Sequence, residues 1–456
     1  MSKLQVLDVP AGQPLAELAA AASDERWPML LDSGPAPTPA ARWNLLVLDP
    51  VERLVAVARP GGGTLRAVQA ALERRWPGAE RPVPGGELPG FTGGAVGWLS
   101  YELARELESL PVRARPDAAV PDLALGLYPF ALAEEVATGR RLVVGRGTRP
   151  EAEAFRAVVA GLAARATPLA PLPPVGAALR SSLPRGTYEA AVETARELIR
   201  DGEIYQVNLS QRFELPYAGR PEPLQAALAR RFPAPYGALL RLPGLAVISS
   251  SPELFLRRRG ERLECRPIKG TRPRSAEPTQ DERLRAELEA SPKEGAELAM
   301  IVDLVRNDLG RIARIGSVTV EQAAATEAWS TVWHRVAHVA CDVDARRGVA
   351  EVLEATFPPA SVTGTPKLAA CKVIEAIEPV RRHVYTGAMG WIGADGDLEL
   401  SVAIRIATLV EGRLLLPVGG GITLASDPAA EYEETLHKAR ALFEVLGVAP
   451  PAGVPA

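Results

Sequence analysis

Cysteine is scarce in this chain: three residues, Cys265, Cys341 and Cys371, far apart, odd in number and never in a Cys-x-x-Cys pair. That spacing excludes a disulfide framework and a zinc site, and leaves buried packing as their expected role. No apolar run approaches the roughly 18 residues of a membrane helix. The opening Met1-Ser2-Lys3-Leu4 lacks the basic-then-apolar pattern of a secretory leader, so a cytoplasmic protein without a membrane partner is expected. A basic excess is missing as well. The 52 Lys and Arg against 55 Asp and Glu leave a net charge of −3, with nothing to draw the chain onto nucleic acid. With 47% hydrophobic and 23% charged residues over 456 positions, the composition is that of a globular protein built for small-molecule work.

The most informative shortage is lysine. Of the 52 basic residues only six are Lys, at 3, 269, 293, 367, 372 and 438. Arginine can supply positive charge anywhere, but it cannot be deprotonated in a protein and so cannot act as an amine nucleophile. Lys269, held in Arg266-Pro267-Ile268-Lys269-Gly270-Thr271, is therefore singled out as an amine kept for its chemistry.

By length the chain would hold roughly three average domains. The one composition break is the stretch 167–185, with prolines at 168, 171, 173, 174 and 184, which reads as a connector after an Ala-rich helix over 150–166. It divides an N-terminal region, 1–166, from a second region, 186–449. The first mixes short strands at 45–48, 54–57 and 142–144 with helices near 14–22 and 64–75. The second opens with a helix over 187–201, then strand-like runs at 204–215, 237–249 and 254–265, then helices at 278–290 and 292–305. Strands and helices in blocks predict an α+β fold with largely antiparallel sheets, not a doubly wound parallel one.

Two helices carry carboxylates in a pattern that suits a metal. Ser291-Pro292-Lys293-Glu294 reads as a helix start that places Glu294 and Glu297 on one face. Glu294 is equally explained as the partner of a capping box, whereas Glu297 lies beside the apolar stripe Met300, Ile301 and Leu304. Asp427-Pro428 starts a second helix bearing Glu431, Glu434 and Lys438, which an exposed ladder would also explain. If the two helices face each other, four carboxylates converge, enough oxygen for Mg²⁺ together with water and an anionic substrate group.

Between them lie Thr363-Gly364-Thr365-Pro366-Lys367, opening a helix, and Gly419-Gly420-Gly421, expected just past a strand over 413–418. Both suit an anion through bare amides. Arg405, expected in a strand over 400–406 on the same face as Ser401 and Ala403, is a half-buried cation that wants an anion.

The motifs Ser251-Pro252-Glu253, Pro267-Ile268-Lys269-Gly270-Thr271, the run from Met300 to Asp308, Thr363-Gly364-Thr365-Pro366-Lys367, Gly419-Gly420-Gly421 and Glu431-Tyr432-Glu433-Glu434 occur in order. In this set the chain resembles the chorismate-utilising enzymes over about residues 186–447. Residues 29–34, 93–97 and 121–128 extend the likeness to the N-terminal region. The resemblance implies the anthranilate-synthase-component-I-like fold: two large, mostly antiparallel sheets packed face to face with helices outside.

Within that family the chain is most similar to the branch that aminates chorismate to 4-amino-4-deoxychorismate for 4-aminobenzoate and folate. The anthranilate-forming branch has Ala where Lys269 stands. The branches that activate water place a Lys where this chain has Gln206, which cannot be a general base. The resemblance further implies that Lys269 attacks C2 of chorismate as the C4 hydroxyl leaves and is then expelled by ammonia adding at C4. Such an amine must be neutral, at a cost of about 4 kcal/mol near pH 7.4 unless burial or the nearby cations Mg²⁺, Arg266 and Arg272 lower it.

By the same resemblance, Glu253 is the general acid and His334 orients or protonates the departing hydroxyl; outside the family pattern a lone His in an apolar stretch would be structural. Gln206, Thr271, Ser361, Tyr385, Arg405, Lys438 and the amides of Gly419, Gly420 and Gly421 would bind substrate. Glu297 and Glu434 would ligate Mg²⁺ directly, with Glu294 and Glu431 acting through water. Ser33, Arg42, Trp43, Pro235, Tyr236 and Gly237 match a site for L-tryptophan in relatives, although Ser33-Gly34-Pro35 reads equally as a turn. Nothing resembles a glutaminase or a pyruvate-releasing lyase. Ammonia is therefore expected from a separate glutamine amidotransferase subunit, and aminodeoxychorismate is expected to remain the product. The alternatives are anthranilate synthase component I chemistry and a non-catalytic regulator that binds chorismate or tryptophan.

Overall fold

The computed structural model describes residues 3–34, 42–81, 87–176, 179–329 and 331–451. Two large sheets dominate it, and the pairings between their strands are antiparallel throughout the described residues. The first has 12 strands and runs from Lys3–Val9 at one edge, through Met29–Leu31, Tyr236–Leu242 and Leu245–Ser251, to Arg413–Ile422, Gln206–Pro216 and the short Gly364–Thr365. The second has 10 strands, from Ile268–Pro273 and Val332–Asp342 through Leu254–Arg259, Leu398–Val402 and Ala388–Gly393 to Gly94–Leu99 and Glu52–Ala56.

Period-two alternation explains how the sheets stack. In the first sheet Met29, Leu45, Ala131, Leu240 and Val247 point inward, where they pack with Val96, Trp98, Met389 and Trp391 of the second sheet in a core between the two. Their neighbours Leu30, Leu46, Leu132, Leu239 and Ile248 point outward, under the helices 15–21, 185–200 and 428–446. The outer face of the second sheet is covered by the helices 64–75, 292–310 and 349–356. The fold is thus the α+β arrangement anticipated, two antiparallel sheets face to face with helices outside.

Residues on the two sides of the Pro-rich stretch share both sheets: Met29–Leu31 pairs with Tyr236–Leu242, and Gly94–Leu99 with Ala388–Gly393. Three local readings change. The runs at 237–249 and 254–265 are each a hairpin, turning at Pro243-Gly244 and Gly260-Glu261, because glycine at positive φ closes the turn. The strand expected over 413–418 continues to Ile422, so the three glycines lie within it. The strand expected over 400–406 stops at Val402 and another starts at Ile406. Arg405 lies between them in a left-handed conformation, φ 53°, and strand alternation does not set its direction.

Two helices position the acidic groups. Ser291 caps the helix Pro292–Gly310 by accepting from the Glu294 amide at 3.4 Å, and Leu298, Ile301, Val305 and Leu309 bury its inner face on the second sheet. Asp427 caps Pro428–Leu446 by accepting from the Ala430 amide at 2.9 Å, and Gly447 ends it at φ 65°. Tyr432, Leu436, Leu442 and Phe443 pack it on the first sheet, each large apolar side chain contributing about 1.5–3 kcal/mol.

Candidate active site

The site forms where an edge strand of the second sheet, Ile268–Pro273, meets the strands Gln206–Pro216 and Arg413–Ile422 of the first. Gly421 shows how tightly. A Cβ there would stand 2.5 Å from Gln206 Nε2 and 3.2 Å from Lys269 Nζ. At Gly420 it would stand 3.2 Å from Glu431 Oε2 and 3.8 Å from both Glu434 Oε1 and Lys438 Nζ. The Gly419-Gly420-Gly421 strand therefore presents bare backbone on both faces, to the acidic groups and Lys438 at Gly420 and to the amide and the amine at Gly421, and side chains would fill that space.

Glu253 is 4% exposed. Burial pushes its carboxyl up to about 7, against the opposing pull of the Ser361 hydroxyl, the Lys269 charge and the Ile268 amide. Near neutral pH a large share of it therefore keeps a proton to give, beside a primary amine. Ser361 thus spends its hydroxyl on Glu253. His334 is buried, with Nδ1 3.0 Å from Thr271 Oγ1 and its ring edge-on to Trp329. Burial, and secondarily the charge of Arg405, hold it down to about 3, so the imidazole is neutral.

Arg405 is half-buried, lies within reach of the Glu434 charge, and its guanidinium has no hydrogen-bond or ion-pair partner among the described residues. Burial lowers its pKa, the mark of a desolvated cation without an anion. Tyr385 is buried and hydrogen-bonded to Asn208, and burial raises its pKa. The Gln206 carbonyl Oε1 is buried without a partner. A cation, a phenol and an amide with unused capacity suit an anionic, oxygen-rich ligand.

The helices Pro292–Gly310 and Pro428–Leu446 cover different sheets and approach each other through side chains near their first turns, where Lys293 Nζ lies 3.4 Å from Glu431 Oε1. Glu297 is pushed up, first by burial, and the carboxylates of Glu294 and Glu434 push it further against the pull of Lys269 and Lys293. Glu434 is held down to about 2, chiefly by Lys438, whose Nζ lies 2.6 Å from its Oε1. Glu431, read as part of an exposed ladder in one account, is 2% exposed and accepts from Ser426 Oγ at 2.7 Å. Its other oxygen, Oε2, is buried with no donor. Glu294 turns its carboxylate toward Arg272, 3.5 Å away.

Among the described residues no three His, Cys, Asp or Glu side chains are drawn together as a metal-holding group. Ammonium groups stand among the carboxylates: Lys293 Nζ lies 3.4 Å from Glu431 and 4.0 Å from Glu297. The all-oxygen donor set and the orphaned Glu431 oxygen nonetheless suit a hard divalent cation.

Some expected roles are filled differently. Lys438 donates to the Gly419 carbonyl at 3.0 Å as well as to Glu434. Lys367 is bound to Asp308 and to the Thr356 and Pro358 carbonyls at 2.6–3.0 Å, so it pins its helix and offers no anion site. Of the two arginines expected beside the amine, Arg266 pairs with Glu327 and Arg272 with Glu287 and Glu294. Two features escaped the sequence reading. One is Lys293, visible only as a helix-start residue. The other is Arg382, buried and bonded to Glu378, the Asn208 and Val362 carbonyls and Thr386, which ties together the segments that carry Gln206, Ser361 and Tyr385. Neither has a motif of its own, because each matters only through partners distant in the chain.

A second cavity, of about 320 Å³, lies between the two sheets. Ser33, Arg42, Trp43, Pro235, Tyr236 and Gly237 all line it, joined by Phe91 from the segment before Gly94–Leu99 and by Arg257, Trp391 and Glu399 from strands of the second sheet. The Gly34 amide donates to Asp32 Oδ1 at 2.9 Å with φ 84°, while the turn read over Ser33-Gly34-Pro35 includes Pro35, which lies outside the described residues.

The profile of the family described as chorismate binding enzyme matches residues 50–444. Anthranilate synthase component 1 1 of Haloarcula marismortui is 38% identical over 84% of this chain and 81% of its own. Aminodeoxychorismate synthase component 1 of Klebsiella aerogenes is 36% identical over 93% of this chain and 94% of its own. The crystal structure of anthranilate synthase component I from Streptococcus pneumoniae superposes with a TM-score of 0.77 at 27% identity, covering 89% of this chain and 92% of that one. No described helix is long and apolar enough to cross a membrane.

Proposed function

This chain belongs to the chorismate-binding enzyme family, and from that premise we propose that it aminates chorismate with ammonia to 4-amino-4-deoxychorismate, as an aminodeoxychorismate synthase component I. The observation that carries the reading is the pairing of Lys269, a primary amine, with the buried acid Glu253, while the residue packed near that amine across Gly421 is Gln206 and not a base for water. In the neutral form Lys269 Nζ would attack C2 of the ring. Both conjugated ring double bonds shift toward C4, the C4–O bond breaks, and the Glu253 proton leaves with the hydroxyl as water. Ammonia then bonds to C4, the two double bonds shift back, and the C2–Nζ bond breaks with its electron pair returning to the amine. Glu253 regains a proton from the ammonium so formed.

Arg405, Tyr385, Gln206, the Gly419–Gly421 amides and Lys438 would hold the substrate, the last by exchanging Glu434 for a substrate carboxylate. Glu297 and Glu434, with Glu294 and Glu431 behind water, would hold Mg²⁺, which when bound supplies positive charge against a substrate carboxylate. Ammonia would come from a separate glutamine amidotransferase subunit. The cavity between the sheets would take L-tryptophan, its indole against Phe91 and Trp391. Retention of [³H]tryptophan by the full chain, lost in Ser33→Trp, would bear that out.

The decisive experiment supplies chorismate, Mg²⁺ and ammonium, with and without an added aminodeoxychorismate lyase. 4-Aminobenzoate is expected only when the lyase is present. Anthranilate formed without the lyase, or no turnover at all, would overturn the reading.

A further inference from the structure

We propose that Lys293 is a built-in counter-cation for the carboxylates of these two helices, Pro292–Gly310 and Pro428–Leu446, and that a divalent ion binds there only by displacing its ammonium group. The inference rests on the metal-site reading of Glu297, Glu431 and Glu434 given above. Lys293 occupies the first turn of its helix, where the helix dipole disfavours positive charge. Its side chain is 50% exposed, yet it reaches in until Nζ lies 3.4 Å from Glu431 Oε1 and 4.0 Å from Glu297 Oε1. Those carboxylates come from different helices and are 2% and 11% exposed. Two buried anions on different helices repel across a medium that screens poorly, so a cation is required between them.

The arrangement leaves capacity for a stronger cation. Ser426 and Lys293 occupy only Oε1 of Glu431, and Oε2 is buried without a donor. An ammonium at these distances and a divalent ion on the same oxygens would repel each other. Of the two, the lysine can leave. Its stem is flexible and half in solvent, so the head can swing into water without moving backbone. Lys438 is less free, being tied to both Glu434 and the Gly419 carbonyl. Lys293 therefore keeps the helices together before the metal arrives and lowers the affinity with which it binds.

The test uses Mn²⁺ alone, titrated calorimetrically into the full chain, together with melting temperatures with and without Mn²⁺. Lys293→Met keeps the stem and removes the charge; Lys293→Arg keeps the charge. Lys293→Met is expected to tighten Mn²⁺ binding about tenfold and to lower the metal-free melting temperature, with Mn²⁺ restoring it, while Lys293→Arg stays as weak as wild type. Unchanged or weaker Mn²⁺ binding in Lys293→Met, alongside loss of binding in Glu434→Gln, overturns the inference and leaves the metal reading standing. Equal tightening in Lys293→Arg also overturns it. Failure of both wild type and Lys293→Met to bind Mn²⁺ overturns the two together.

Discussion

Replacing Glu253 by Gln should separate the chemistry of that carboxyl from its effect on stability, and the two should move in opposite directions. Burial raises the folded carboxyl to about 7, against 4.5 for the ordinary group. The folded protein therefore binds this proton more tightly than the unfolded chain does. Wild-type stability should be unaffected by Glu253 below about pH 4.5, fall as pH rises through the interval, and level off above 7. The interval is 2.5 pH units, and at about 1.4 kcal/mol per unit the ionised group costs about 3 kcal/mol. Glu253→Gln removes that cost, so its stability relative to wild type should be about 3 kcal/mol greater at pH 8 than at pH 4.5. Activity should go the other way, falling about 10²- to 10⁴-fold with the loss of the acid. Wild-type turnover should itself decline above pH 7 as the proton is lost. Urea unfolding of both proteins across pH 4.5–8, with product formation measured at each pH where they are folded, reads both quantities. A stability difference independent of pH, or a Gln variant as active as wild type, would refute the assignment of a buried, protonated Glu253.

Lys269→Arg should abolish the 4-amino product while leaving the melting temperature within a few degrees, because a guanidinium keeps the charge but cannot give up its proton; chromatography of the products checks this. Gly421→Ala should place a methyl against Gln206 Nε2 and Lys269 Nζ, costing about 1–3 kcal/mol of stability by overpacking and, by displacing the amine, about 10²-fold in kcat/KM. Arg405→Gln should raise the KM for chorismate about tenfold or more, as expected for losing a charged hydrogen bond, without lowering stability, since its guanidinium has no partner among the described residues to abandon. Steady-state kinetics paired with thermal melts distinguish these outcomes from general misfolding.

Much of this protein is determined locally. Ser291-Pro292 and Asp427-Pro428 start helices because their side chains and fixed φ satisfy the first turn wherever they occur, and both helices begin where their sequences say. Consecutive apolar residues such as Met29-Leu30 and Val247-Ile248 suit strands buried on both faces, and so a fold of stacked sheets covered by helices. Lys269 could be singled out from composition, because its chemistry belongs to the side chain alone. What required the tertiary structure is everything that depends on partners. The strand limits around Arg405 and Gly419 to Gly421 follow from pairing with distant segments, which local periodicity does not contain. The raised pKa of Glu253, the neutral His334 and the unpaired Arg405 are products of desolvation and neighbours that only folding assembles. Lys293 is the plainest case: in sequence it is one more charge in a helix's first turn, and in the folded chain it is the ammonium between two buried carboxylates, since electrostatics acts through space and not along the backbone.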